Sequence, residues 1–257
     1  MRRPLVAAGL AALAAALAHG AGPAPDTRRS GFAFMTPETQ ALQADDTLNP
    51  GMLWVKEGEE LWGRRVGGSN RSCADCHGAA ATSMRGVAAR YPSYDAPERR
   101  AVDLGGRIQL CRARHQAVPL QAESSELLSL QTYVAFQSRG MPLAPDPDPR
   151  LAAWRERGRA LFFRRMGQLD FSCSQCHDDN PGQRLGGSVI PQAHPTGYPL
   201  YRLEWQGVGS LQRRLRTCIN GVRAEPYAYG ASELVEIELY LAARAAAMPI
   251  ETPAVRP

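Results

Sequence analysis

The chain has 257 residues, 44% of them hydrophobic and 21% charged, with a formal charge of +5 and a pI near 9.0. That composition excludes a disordered polymer and leaves room for two small domains. Nearly all the positive charge is arginine, with Lys56 the only lysine. No stretch interleaves aromatic with basic side chains as nucleic-acid surfaces do, so that partner class is set aside. A basic surface of this kind is either a plain solvated exterior or an attractant for small anions and acidic partners, whose oxyanions the arginine fork matches.

Arg2 and Arg3 precede an apolar run from Leu5 to Ala18, followed by small residues through Ala21. Charged residues, a short apolar core and small residues make a secretory signal over 1–20, too short for a span of about 20 residues. The expected location is an exported compartment, the periplasm in a bacterium. Residues 21–50 hold proline and threonine without sustained periodicity and read as an extended arm. Asp45 to Gly51 then looks like a turn and helix start, with Leu53, Trp54, Leu61 and Trp62 following.

Cys73-Ala74-Asp75-Cys76-His77 and Cys173-Ser174-Gln175-Cys176-His177 are two copies of one pentad, 100 positions apart. The spacing suits covalent haem: two thiols add to the porphyrin vinyl groups and the adjacent histidine ligates iron. A zinc ribbon, or two redox-active cysteine pairs, would also use C-x-x-C but leaves both histidines unexplained. Four cysteines are thereby consumed by thioethers, and Cys111 and Cys218 remain.

The halves repeat beyond the pentads. GEELWGRRVG from Gly58 matches GRALFFRRMG from Gly158 at an offset of 100. After the pentads the offset is 107: Arg107 to Cys111 matches Arg214 to Cys218, Ser125 matches Ser232, and Met141-Pro142 matches Met248-Pro249. The second half therefore carries about seven extra residues between His177 and Cys218, including Gly186, Gly187, Pro191, Pro195 and Gly197, which suit an irregular loop. This loop is expected to shape an opening beside the second pentad. Pro142 to Pro149 is too rich in proline for a helix or central strand and reads as a linker.

The expected fold is mainly α, with two tandem cytochrome c-like domains, each holding one covalently attached haem c. Their spans are 51–142 and 151–257, joined by a linker at 143–150. Met141 and Met248 follow their last helices, the wrong side for a sixth iron ligand in that fold, and read as core or loop residues. His115 maps onto Val222, and His194 falls in the second-half insertion. Only Cys111 and Cys218 recur in the axial slot, opposite His77 and His177. A disulfide between them, or two inert buried thiols, is the alternative. A thiolate ligand lowers the iron's reduction potential, which suits chemistry at sulfur better than simple electron carriage.

The chain resembles the SoxA family, dihaem subunits of a cytochrome of bacterial thiosulfate oxidation. The resemblance rests on Asp45 to Trp54 (DDTLNPGMLW), both pentads, His194 to Pro199 (HPTGYP), Tyr201 to Gln206 (YRLEWQ) and Arg213 to Cys218 (RRLRTC). It implies an L-cysteine S-thiosulfotransferase that joins thiosulfate to the carrier cysteine of SoxY, in SoxYZ, and passes two electrons onward through SoxX, a single-haem cytochrome. It implies that Cys218 carries an added sulfur as a persulfide and that Arg214 serves the active site. Arg214 and Cys218 are also i and i+4, so on a helix they share a face, and a cation there favours the thiolate. Haem-propionate binding is the other reading of Arg214, and Arg107 is its counterpart in the first half. Two rival functions stand beside this one: a plain dihaem electron-transfer protein, and a thiosulfate dehydrogenase forming tetrathionate.

Overall fold

The computed structural model describes residues 26–116 and 118–257; the Leu5–Ala18 run lies outside them. In the first half the elements are helices α1 (Pro37–Ala44), α2 (Met52–Gly63), α3 (Cys73–His77) and α4 (Ala80–Ser83), strands β1 (Ser93–Asp95) and β2 (Arg100–Val102), then α5 (Leu104–Gln116) and α6 (Ser125–Phe136). The second half holds α7 (Ala152–Phe163), α8 (Cys173–His177), β3 (Arg184–Leu185), β4 (Ser188–Val189), β5 (Leu200–Arg202), β6 (Gly207–Gly209), α9 (Leu211–Gly221), α10 (Ser232–Arg244) and β7 (Ala254–Arg256). The architecture is mainly helical, and no helix of the described residues is long and apolar enough to cross a membrane.

Element starts reproduce the two offsets. α2 and α7 begin 100 apart, as do α3 and α8; α5 and α9 begin 107 apart, as do α6 and α10, and so do the β1–β2 and β5–β6 hairpins. Each half crosses its first and last long helices closely, α2 on α6 and α7 on α10. Glycine permits this: a Cβ on Gly58 would sit 2.1 Å from the Ser129 carbonyl oxygen, and one on Gly158 would sit 1.8 Å from that of Glu236. Around the second crossing Phe162, Leu215, Ile219, Leu234, Ile237 and Leu241 form an apolar core; around the first, Trp62, Leu104, Val134 and Ala135 do. Each fully buried side chain of this kind contributes about 1.5–3 kcal/mol over exposure.

Both pentads open short helices with reciprocal caps. Asp75 N–H donates to Ser72 Oγ at 3.1 Å while Ser72 N–H donates to the Asp75 carboxylate at 2.8 Å; Ser172 and Gln175 repeat the pattern at 3.3 and 2.8 Å. With the helix start fixed, Cys73 and Cys76, or Cys173 and Cys176, lie one turn apart on one face.

The segment expected as an extended arm is helical over Pro37–Ala44. Thr36 caps it, accepting from Thr39 N–H at 3.4 Å, and Pro37 occupies the first turn, where its missing N–H costs nothing. This helix lies against β7 at the far end of the chain, and Gln43 Oε1 accepts from Val255 N–H at 3.1 Å. β7 in turn pairs parallel to β5. Residues 143–148 form neither helix nor strand, and Leu143 packs with Ala89, Ala245, Met248 and Ile250, where Met248 has the core role expected of it.

Candidate active site

α9 presents Arg214 and Cys218 on one face while Leu215 and Ile219 turn into the core. Both polar residues line a cavity of about 930 Å³ open to solvent, whose walls also include His177 of α8, Tyr198 and Arg202 of the β5 hairpin, and Arg256 of β7. The insertion after His177 supplies another wall through Ser188, Val189, Pro191, Ala193 and His194. It carries the short β3–β4 hairpin, with irregular chain on either side. Pro191 fixes the histidine: its carbonyl accepts from His177 Nδ1 at 2.6 Å.

The Cys218 sulfur faces the His177 ring. Burial opposes its thiolate, but the His177 ring, Arg214 and Arg202 outweigh burial and hold the thiol below its ordinary pKa. Cys173, close by, has burial and the neighbouring Cys218 against it and is pushed up to about 12. Arg214 makes no side-chain hydrogen bond or ion pair among the described residues, so its fork is open to the cavity. His194 reaches the same cavity with Nδ1 at 2.8 Å from the Arg29 carbonyl, and burial keeps its pKa below that of an ordinary histidine.

The first half gathers Cys73, Cys76 and Cys111 in the matching place, with Cys76 and His77 exposed. The His77 ring lies 5.7 Å from that of Trp62. Burial raises the Cys111 thiol; Arg107 and Arg114 oppose it, and Asp95 reinforces it. All six cysteines are unpaired, and Cys111 and Cys218 have different neighbours, so no disulfide joins them. His115 sits on the exposed end of α5, its carbonyl accepting from Ser69 Oγ at 2.7 Å.

The donor set fits haem. Among the described residues no three His, Cys, Asp or Glu side chains converge on one metal-sized point, whereas His177 and Cys218 face each other as a pair. Two opposed donors beside two cysteines on one helical face suit an iron whose other four bonds come from a porphyrin.

A family model for the SoxA/TsdA cytochrome c domain matches residues 57–143 and 157–250. The chain is 38% identical over 233 residues to the L-cysteine S-thiosulfotransferase subunit SoxA of Pseudaminobacter salicylatoxidans, covering 90% of this chain and 82% of that one. Its identity to the corresponding subunit of Rhodovulum sulfidophilum is 36%, covering 90% and 81%. The chain belongs to the SoxA family. The crystal structure of SoxXA from P. pantotrophus superposes with a TM-score of 0.86 at 30% identity, covering 90% of this chain and 87% of that one. SoxA cytochrome c domains hold covalently bound haem c.

The fold brings the expected residues Cys173, Cys176, His177, Arg214 and Cys218 to one site and Cys73, Cys76, Arg107 and Cys111 to another, while His77, on the same helix as Cys73 and Cys76, lies against Trp62. Sequence reasoning gave no role to Arg202, nor to Phe34 and Met35 of the N-terminal segment, which also line the second site. The offset of 107 was a usable signal for Arg202; nothing local marks the other two.

Proposed function

We propose that the protein carries two haem c groups, one on Cys73, Cys76, His77 and Cys111 and one on Cys173, Cys176, His177 and Cys218, and that it loads thiosulfate onto the carrier cysteine of SoxY in SoxYZ. The observation that carries this reading is the Cys218 sulfur, opposite His177, in an open cavity with an unpartnered Arg214 guanidinium on the same helical face. In the net reaction the carrier thiol gives up its proton, a sulfur–sulfur bond forms to the outer sulfur of thiosulfate, and two electrons leave. Bound haem supplies the one-electron acceptor such chemistry needs. Cys218, carrying an added sulfur as a persulfide, presents the reacting atom; Arg214 holds the anion and favours the nucleophilic form of the sulfur. His177 is kept in one tautomer by Pro191.

SoxX takes the electrons onward. Phe163, Leu169 and Phe171 are 46%, 42% and 43% exposed beside the second pentad, where the first half has Gly63, Ser69 and Arg71. Apolar side chains at these positions, where the first half has small or polar ones, support docking of the partner cytochrome here. Arg2, Arg3 and the apolar run before Ala21 support export to the periplasm. Incubating the purified SoxX complex with thiosulfate, with and without SoxYZ, tests the reaction. Mass spectrometry should find SoxY heavier by one thiosulfate adduct, with cytochrome reduction dependent on SoxYZ. Tetrathionate formed without SoxYZ would establish the dehydrogenase instead.

A further inference from the structure

The two halves meet around a second cavity, of about 660 Å³. Its walls come in pairs at the offset of 107, Tyr91 with Tyr198 and Leu104 with Leu211 among them. The cavity therefore lies on the axis that relates one half to the other. Tyr198 and Leu211 line the Cys218 cavity as well, and Tyr91 approaches Arg107 in the first site. The wall between the halves is thus also the wall between the two cysteine centres.

One pair in this lining differs in charge: Gln131 of α6 stands in the wall from the first half, and Glu238 of α10 from the second. Both are nine-tenths or more buried, at 9% and 7% exposure. Gln131 makes no side-chain hydrogen bond among the described residues, so its amide is open to the cavity. Glu238 is met by Gln212 of α9, whose Oε1 already accepts from Gly230 N–H at 2.8 Å, so the amide nitrogen turns to the carboxyl. The charges that reach Glu238 are both negative, Asp103 after β2 and Glu123 before α6. The nearby cations are engaged elsewhere: Arg100 of β2 acts on Asp103, Arg213 of α9 acts on Glu123, and Arg157 of α7 lies 2.7 Å from Glu236. Tyr91 and Tyr198 are the other titratable groups of the lining. Burial without a counter-cation favours the neutral carboxyl.

We propose that Glu238 is a redox-linked proton site, taking up a proton when an electron reaches the second centre and releasing it when that electron leaves. The proposal rests on reading that centre as a haem iron held by His177 and Cys218. Ferric iron with an ionised Glu238, one electron and one proton give ferrous iron with a neutral Glu238. The electron comes from the thiosulfate oxidation and leaves to the partner cytochrome; the proton comes from solvent through the cavity. A unit of charge gained at the iron is felt across a cavity wall, because Coulomb energy inside protein falls only as the inverse of distance. Linkage makes the effect reciprocal: reduction raises the proton affinity of Glu238, and a proton on Glu238 raises the iron's affinity for an electron. Glutamine at 131, in the same register of the first half, shows that the fold does not need the acid there.

The test is a redox titration of the haem-loaded complex with SoxX at a series of pH values, following each haem by its own signal. Wild type, Glu238→Gln, Asp103→Asn and Glu123→Gln are compared. In wild type the potential of the second centre should be level at low pH, fall as pH rises through the Glu238 titration, and level again. That window lies above the ordinary glutamate range, because the folded protein keeps this carboxyl neutral. The proton affinity of Glu238 should be at least about fivefold greater in the reduced protein, the low end of couplings between sites. Glu238→Gln should remove the fall and hold the potential at the low-pH level of wild type. Asp103→Asn and Glu123→Gln should keep the fall and move it to lower pH, since each takes away a charge that favours the proton. Within the window, infrared difference spectra should show a protonated carboxyl gained on reduction in wild type and absent from Glu238→Gln. Superimposable potential curves for wild type and Glu238→Gln, with the second haem attached, would overturn the proton site and leave the reaction standing. A fall kept in Glu238→Gln but lost in Asp103→Asn or Glu123→Gln would overturn it equally, by putting the proton on another residue. A wild type with no haem signal from the second centre would remove the reading on which the site rests, and the site with it.

Discussion

Cys111 on α5 and Cys218 on α9 occupy matching turns of matching helices, and burial acts against the thiolate at both. Near Cys111 the favourable arginines are checked by a buried aspartate, and the thiol rises; near Cys218 a histidine ring and two arginines prevail, and the thiol falls. The backbone of the repeat therefore fixes where a sulfur stands but not what it can do. The halves differ at equivalent positions, where Arg202 stands in place of Asp95, and in the insertion after His177, which supplies that histidine's carbonyl partner and part of the cavity wall.

The largest expected break in this comparison comes from exchanging the two cysteines for methionine. Cys218→Met should retain attached haem yet lose carrier loading by about a thousandfold or more, the scale of removing a reacting group. Cys111→Met should change the first site's low-spin spectrum and cost loading no more than about tenfold. Parallel turnover assays and electron paramagnetic resonance of the oxidised proteins read both.

The arginines should divide differently. Arg107→Met strands Asp95, fully buried, without its closest counter-charge, and breaking such a pair costs about 3 kcal/mol of stability. Adding Asp95→Asn should recover much of that loss in denaturant melts. Arg214→Met leaves no ion pair broken among the described residues, so its melt should shift little while loading falls about a hundredfold. Equal effects of the two arginines on turnover would point to propionate anchoring in both halves.

A smaller effect sits at Glu238, which corresponds to Gln131 at the same offset. Burial, then the charges of Asp103 and Glu123, raises its pKa well above an ordinary glutamate, against a hydrogen bond with Gln212. Its folded pKa exceeds the unfolded one, so the folded state holds the extra proton and stability falls as pH rises between the two, by about 1.4 kcal/mol per pH unit. Glu238→Gln should remove that slope: more stable than wild type near neutral pH, indistinguishable at acid pH below the ordinary glutamate range. Melts run across that window would show parallel curves if the comparison with Gln131 is wrong.

Much of this was legible in the chain itself. Covalent haem demands a contiguous pentad, so Cys173, Cys176 and His177 could be read without a fold. The i, i+4 spacing of Arg214 and Cys218 needs only a helix. The two offsets carried the repeat through every long helix. Arg202 was also within reach, because the offset that pairs Arg107 with Arg214 pairs Asp95 with Arg202; it went unread because its meaning depends on a hairpin bringing it beside α9. The helix at Pro37–Ala44 was missed because proline at a first turn starts a helix as readily as it ends one. The share of Phe34 and Met35 in the second site arises from α1 packing on β7, more than 200 residues away in sequence, which no local pattern encodes.

The most direct test of specialisation is peptide mass spectrometry of the protein as purified, and again after turnover with thiosulfate and SoxYZ. One added sulfur atom on the peptide containing Cys218, and none on the peptide containing Cys111, is the result expected. An added sulfur on both cysteines, or on Cys111 alone, would contradict the assignment of the reacting centre to the second site.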